Sequence, residues 1–173
     1  SEERIPHLLA VMEERLAVWP EGTHGKYAAG SILEYIDNRL RRMDYTDPAR
    51  ESYIRESVKM LSSKLPLLEP SKDVYYSVVH HIGKLLVMAG DQDNAMRCFQ
   101  HIIESVPERH ETRLQIARIY KREKRIDLAL PEYRRLLDTY LSGDGISMSV
   151  VLAAYEDIYS MKMEKTAEKY YLL

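Results

Sequence analysis

The chain has 173 residues, of which 45% are hydrophobic and 30% are charged, and its net charge is −2 at pH 7. This balance favours a folded globular protein over a disordered chain and offers no overall positive charge for nucleic acid or acidic membranes. The single cysteine, Cys98, excludes an internal disulfide, and no apolar run reaches the roughly 20 residues of a membrane-spanning helix.

Three amphipathic helices are predicted in the N-terminal part of the chain, because apolar residues recur there every three or four positions. The first covers 5–18 and the second 26–43, and the Pro- and Gly-containing loop WPEGTHGK (19–26) separates them. The third, 48–65, follows Asp47, which can cap a helix whose first residue is proline.

From about Lys72 the sequence repeats itself, and 81–107 aligns with 115–141 at an offset of 34 residues. A shorter third copy follows at an offset of 38, where Ala167 and Tyr171 repeat an alanine-to-aromatic spacing of four. Under the first offset, small residues fall opposite small ones and large apolar residues opposite large ones: Gly83 with Ala117, Leu86 with Tyr120, Ala95 with Ala129, Phe99 with Tyr133, and Ile102 with Leu136.

This pattern resembles the tetratricopeptide repeat family, in which each unit of 34 residues is a pair of antiparallel helices. The resemblance assigns repeats to 76–109, 110–143 and 148–173, and the last is incomplete and stops inside its second helix. It implies an all-α fold in which residues 71–173 form a right-handed superhelical stack of helix pairs. Residues 1–70 are then an N-terminal helical cap on the first repeat or, alternatively, degenerate repeats.

Catalytic, metal and cofactor sites are not predicted. The chain lacks a phosphate-binding Gly-rich loop, an HExxH sequence and a nucleophile elbow. No two of its six histidines are three or four positions apart, and the adjacent His80 and His81 lie about 100° apart on a helix, which suits no single metal ion. The basic run 121–125 has no interleaved aromatic platform, so nucleic acid is not expected. We therefore predict a protein that is not an enzyme and has no cofactor.

The resemblance also implies that the first helix of each repeat lines a concave groove that accepts a segment of a partner protein. Several of the residues assigned to this groove are basic and others are apolar, so we expect a partner segment that combines acidic and apolar residues. The groove residues are Ser77, His80, Lys84, Val87, Met88, Leu114, Arg118, Lys121, Arg122, Leu152, Glu156 and Tyr159, with Glu111, Ser149 and Ser160 beside them.

The predicted function is a scaffold or adaptor module for protein–protein interaction within a larger assembly. A small chaperone of a bacterial secretion system, holding a client protein, is the alternative. Self-association through the C-terminal helix is a further prediction, and direct membrane insertion is not expected. The start SEERIPHLL carries no signal peptide, so a cytoplasmic location is expected. A periplasmic or membrane-associated location through further segments is the alternative.

Overall fold

The computed structural model describes residues 23–68 and 73–171, together with Ala10 and Glu14. Across those residues the protein is all-α, with seven α-helices and no β-strand. The all-α class predicted from the sequence is therefore confirmed. The helices are α1 (Thr23–Arg42), α2 (Pro48–Lys64), α3 (Asp73–Met88), α4 (Gln92–Ser105), α5 (His110–Arg122), α6 (Ile126–Leu141) and α7 (Met148–Tyr171).

The N-terminal helices agree with the sequence prediction only in part. The helix α1 begins at Thr23, so the second half of the loop predicted over 19–26 is helical and that part of the prediction is wrong. The predicted helix 5–18 lies outside the described residues apart from Ala10 and Glu14, which are both helical.

The start of α2 is as predicted. Asp47 is its N-cap, and one carboxylate oxygen accepts a hydrogen bond of 2.9 Å from the backbone N–H of Ala49. Pro48 occupies the first turn, where its missing N–H costs nothing. At the other end the chain tightens into a 3₁₀ turn, Leu65–Leu67, that contains Pro66. Proline lacks the N–H that a further α-helical turn would need, and so it ends the helix.

The turns that follow α3 and α5 are built in the same way, 34 residues apart. Each contains one residue in the left-handed region, Gly90 with φ 81° and Lys124 with φ 58°. The sequence period is therefore also a period of the backbone. The matching hydrogen bonds run from Gly90 N to Val87 O (3.2 Å), from Asp91 N to Leu86 O (2.9 Å), from Lys124 N to Lys121 O (3.0 Å) and from Arg125 N to Tyr120 O (2.9 Å).

The period extends to the buried residues. Positions that the sequence pairs at an offset of 34 are buried in both copies, whether they are small or large. The fully buried pairs are Ala95 with Ala129, Phe99 with Tyr133, and Ile102 with Leu136. Small residues at these positions allow two helices to cross closely, and large ones fill the space around the crossing.

The C-terminal part departs from the predicted repeat. In place of a helix pair cut off within its second helix, the chain forms one continuous helix from Met148 to Tyr171. No Gly or Pro interrupts this segment, so nothing ends the first helix where a turn was expected. Pro131 lies inside α6 on its exposed side, and the helix continues through it.

By its internal contacts the chain divides into two compact units, Ser1–Cys98 and Phe99–Leu173. In the first unit α1 and α2 both pack against α3, as a helical cap on the first repeat would do. In the second unit α6 packs against α5 and α7, and α5 also contacts α7. The domain boundary predicted near residue 70 follows the start of the repeats and stays a prediction. The buried core of the first unit includes Ile32, Ile36, Leu40, Ile54, Leu61, Val78, Ile82 and Leu85, and that of the second Leu114, Ala117, Ala129, Tyr133, Leu136, Val150 and Ala154.

Candidate partner-binding surface

The predicted groove residues are divided between the two units, and each set is described within its own unit. Those on α3 belong to the first unit, and those on α5 and α7 belong to the second. The first set is Ser77, His80, Lys84, Val87 and Met88, and the second is Leu114, Arg118, Lys121, Arg122, Leu152, Glu156 and Tyr159.

In the second unit, an acidic residue that the prediction did not include holds two of the predicted cations. Asp157 on α7 accepts a hydrogen bond from Nε of Arg118 at 2.7 Å and another from Nζ of Lys121 at 3.0 Å. Lys121 also donates to the hydroxyl of Ser160 at 2.6 Å. Since Arg118 and Lys121 lie one turn apart on α5, these bonds join α5 and α7 along adjacent faces.

Asp157 stays charged in this environment. Burial pushes the pKa of its carboxyl upward, but the hydrogen bonds and charges of Arg118 and Lys121 outweigh that effect and lower the pKa below its ordinary value. The buried hydroxyl of Tyr133 has no aligned hydrogen bond within the described part of the chain. Burial raises the pKa of Tyr133, and the nearby charge of Asp157 raises it further, so this side chain is a neutral phenol.

We define the α5–α7 face as the surface that carries the cations of α5 and the exposed side chains of α7 beside them. Its apolar members, Leu152 and Tyr159, are both exposed. Three cations and two carboxylates leave this face with an excess of one positive charge, although the whole chain is acidic. The face consists of Arg118, Lys121 and Arg122 from α5 and Leu152, Glu156, Asp157 and Tyr159 from α7.

One member of the predicted second set does not lie on this face. Leu114 is buried, and it packs in the core of the second unit with Ala117 and Leu136. The expected groove contact is therefore corrected to a core position, because this first turn of α5 turns its leucine toward α6 and α7. Arg122 and Glu156, in contrast, are exposed as the prediction requires.

In the first unit the predicted residues are more varied. Ser77 donates a hydrogen bond to the backbone carbonyl of Asp73 one turn earlier, so its hydroxyl is engaged within α3. His80, Lys84 and Val87 are half-buried, and Met88 is exposed at the end of the helix.

The histidine that is buried in α3 is His81 rather than its neighbour His80. Its Nε2 lies 3.3 Å from a carboxylate oxygen of Asp37 on α1, without the alignment of a hydrogen bond. Lys84 lies 3.6 Å from the other oxygen of the same carboxylate. Burial lowers the pKa of His81, while the charge of Asp37 opposes that shift and Lys84 adds to it.

An open cleft of about 660 Å³ lies beside the loop between α1 and α2 in the first unit. Its buried cation is Arg50, which donates to the backbone carbonyl of Leu40 at 2.9 Å and lies 4.5 Å from the ring centre of Tyr45. A cation on the last carbonyls of α1 opposes the negative end of that helix. This geometry accounts for Arg50 as a residue that fastens the end of α1 to α2.

Reactive groups are few in the part of the chain that the structure describes. No group of three or more His, Cys, Asp or Glu side chains is placed there to hold a metal ion. Cys98 is half-buried, and burial raises the pKa of its thiol, as does the charge of Asp91, so it is a poor nucleophile at neutral pH. None of the helices in the described ranges is long and apolar enough to cross a membrane.

Comparison with known proteins adds no family or relative: no family model, no curated protein and no solved structure matches this chain.

Proposed function

We propose that the protein is a non-catalytic interaction module of the tetratricopeptide type, a scaffold or adaptor that binds an acidic and partly apolar segment of a partner protein. The seat of that segment in this proposal is the α5–α7 face. The observation that carries it is the sharing of one carboxylate, Asp157, by Arg118 and Lys121. The two cations are only half neutralised, so they keep attraction for a further carboxylate.

The donor inventory of the face supports an acidic ligand. Arg118 uses its Nε for Asp157, and a guanidinium has four more N–H donors on its two Nη atoms. Those donors match the two oxygens of a carboxylate from a partner. Arg122, one turn further along α5, is exposed and adds a second positive charge for recognition at longer range.

Asp157 has a second role in this proposal, which is to hold the cations in place before the partner arrives. Its side chain is 17% exposed, and its two bonds restrict the long side chains of Arg118 and Lys121. Free lysine and arginine side chains lose conformational entropy when they bind, about 0.5–1.5 kcal/mol for each side chain that becomes fixed. Part of that loss is already met when the protein folds.

The apolar half of the partner would lie on α7. Leu152 and Tyr159 are seven residues apart and thus on the same side of the helix, with Glu156 between them. Both are more than half exposed, which leaves apolar surface that a leucine or aromatic anchor of the partner can cover. Glu156 disfavours a carboxylate directly beside the apolar pair, so the acidic part of the segment is expected on the α5 side.

The test compares labelled peptides of equal length that alternate Leu with Glu, Gln or Lys. Fluorescence anisotropy should show binding in the order Glu above Gln above Lys, and added salt should weaken the first. The variant Arg122→Glu should weaken the Glu peptide, whereas the matched control Arg134→Glu, an exposed arginine on α6, should not. Equal binding of the Glu and Lys peptides, or equal effects of the two variants, would contradict the proposal.

A further inference from the structure

A stripe of four apolar side chains runs along the outer side of α7. They are Met148, Leu152, Tyr155 and Tyr159, and each is between 49% and 65% exposed. Their intervals of four, three and four residues put them on one line of the helix surface, and this is the spacing of the contact seam between two packed helices. We call these four residues the α7 seam.

The inner side of α7 is already used, because Val150, Ala154 and Met161 pack in the core of the second unit. The seam lies on the opposite side of the helix, and at the repeat offset of 38 Tyr155 stands where Ala117 stands on α5. A tyrosine at that position does not permit the close helix crossing that an alanine permits. A helix that covers the seam must therefore approach with side chains that interdigitate with the two tyrosines.

We propose that the α7 seam is an interface between two copies of this chain, packed as an antiparallel helix pair. In that arrangement the centre of the seam lies between Leu152 and Tyr155, so that each leucine faces the tyrosine of the other copy. Met148 likewise faces Tyr159. Large rings thus pack against smaller, flexible side chains, which a parallel pair would not achieve because it sets ring against ring.

The charges along the seam favour a second copy over a charged partner. Between Met148 and Tyr159 the only charged residues are Glu156 and Asp157. Asp157 is bound to Arg118 and Lys121 on the inner side, so the seam itself carries one charge. Antiparallel pairing brings Glu156 beside Ser149 of the partner subunit, which is uncharged. No concentration of like charge therefore opposes the contact.

The size of the seam sets the strength of the contact. With about half of each side chain exposed, the four residues offer roughly 400 Å² per copy, so a dimer would bury about 800 Å² in total. Stable complexes usually bury about 1,200 Å² or more, and smaller contacts are transient. We therefore expect a concentration-dependent dimer with Kd on the order of 100 µM, rather than a permanent one.

Sedimentation equilibrium of the whole chain over a wide concentration range tests this directly. The average mass should rise from monomer toward dimer, and Tyr155→Glu should raise Kd at least about tenfold. Met148→Glu is a second seam variant, in case the first disturbs folding, and circular dichroism checks both. The matched control is Tyr27→Glu, which places the same change at an exposed tyrosine of α1. A monomer at all concentrations, or equal effects of the seam and control variants, would overturn the interface.

The direction of packing has its own test in a Cys98→Ser background. The double variant Met148→Cys with Tyr159→Cys should form covalent dimers on mild oxidation, and Met148→Cys alone should form far fewer. Equal cross-linking by the two chains would overturn the antiparallel arrangement. Neither Met148 nor Tyr155 belongs to the α5–α7 face, so a failure of the dimer leaves the peptide-binding proposal intact, and the reverse also holds.

Discussion

Gly90 and Lys124 have the same left-handed backbone conformation at equivalent turns, 34 residues apart, although only one of them is a glycine. A side chain in this conformation brings its Cβ close to the backbone, which costs about 1–2 kcal/mol compared with glycine. The turn after α5 therefore contains a strain that the turn after α3 avoids. Because the two turns share their hydrogen bonds, each serves as a control for the other.

Replacement of Lys124 by glycine should raise the free energy of unfolding by about 1 kcal/mol, and Gly90→Lys should lower it by a similar amount. A Cβ atom built on Gly90 meets no other atom within 4 Å, so the second effect comes from the backbone alone. Urea unfolding measures both changes. Glu123→Gly, at a residue with φ −75°, is the control and should be destabilising. If Lys124→Gly also destabilises, the left-handed turn is not a source of strain.

The buried ring of Tyr133 supports a second prediction. In the first repeat the equivalent residue is Phe99, and both rings are fully buried. The hydroxyl of Tyr133 has no aligned hydrogen-bond partner among the described residues, and a buried unsatisfied polar group costs about 1–3 kcal/mol. We expect Tyr133→Phe to leave stability unchanged or raise it by up to about 1 kcal/mol in urea unfolding, as Tyr140→Phe on the exposed side of α6 should not. A loss of that size would instead show a bond from the hydroxyl to Asp157.

The carboxylate of Asp157 should contribute to stability as well as to the charge of the α5–α7 face. Its replacement by asparagine leaves Arg118 and Lys121 without their shared counter-charge, and we expect a loss of about 1–2 kcal/mol at pH 7. The adjacent and exposed Glu156→Gln should change stability by less than about 0.5 kcal/mol. Equal effects of the two substitutions would show that the shared pair contributes little.

The pH dependence of this effect has a definite sign. The pKa of Asp157 is lower in the folded protein than its ordinary value of 3.8, so the folded state binds the proton less readily than the unfolded state does. Its contribution is therefore complete above about pH 4 and is lost as pH falls through the folded pKa. The difference between the wild type and Asp157→Asn, measured by urea unfolding, should shrink below pH 4. A difference that stays constant down to pH 3 would contradict this sign.

Much of the helical framework could be predicted from the sequence, because it depends on local signals. The Asp47 cap and the buried pairs such as Ala95 with Ala129 follow from a capping residue and from a repeated pattern of residue sizes. These signals act within one helix or one helix pair. The continuous helix over 148–171 was missed because the spacing of Ala167 and Tyr171 was given more weight than the absence of a helix breaker between the two predicted helices.

The contacts between helices far apart in the sequence could not be predicted in the same way. Asp157 meets Arg118 only because of the rotation of α7 about its axis, and that rotation depends on the longer SGDG turn (142–145) that precedes it. The pairing of His81 with Asp37 depends on how α1 packs on α3, outside the repeat pattern. A size pattern states which residues are inside, but it does not pair charges across helices.

His81 supports the last prediction, which concerns mildly acidic pH. Burial lowers its pKa below the ordinary 6.5, and the opposing charge of Asp37 does not reverse the shift. The unfolded state therefore binds a proton that the folded state excludes, so the free energy of unfolding should fall as pH drops below about 6.5. Lys84, which lies on the same carboxylate, adds a positive charge that disfavours the protonated imidazole.

Urea unfolding at several values between pH 7.5 and 5.5 should therefore show a loss of stability on acidification in the wild type. His81→Gln, which keeps a polar side chain of similar length but cannot titrate, should reduce that loss. The control His110→Gln, in the other unit, should retain it. An increase of stability on acidification would mean that the charge pair of His81 with Asp37 outweighs burial, because a protonated imidazole 3.3 Å from the carboxylate would then be the favoured state.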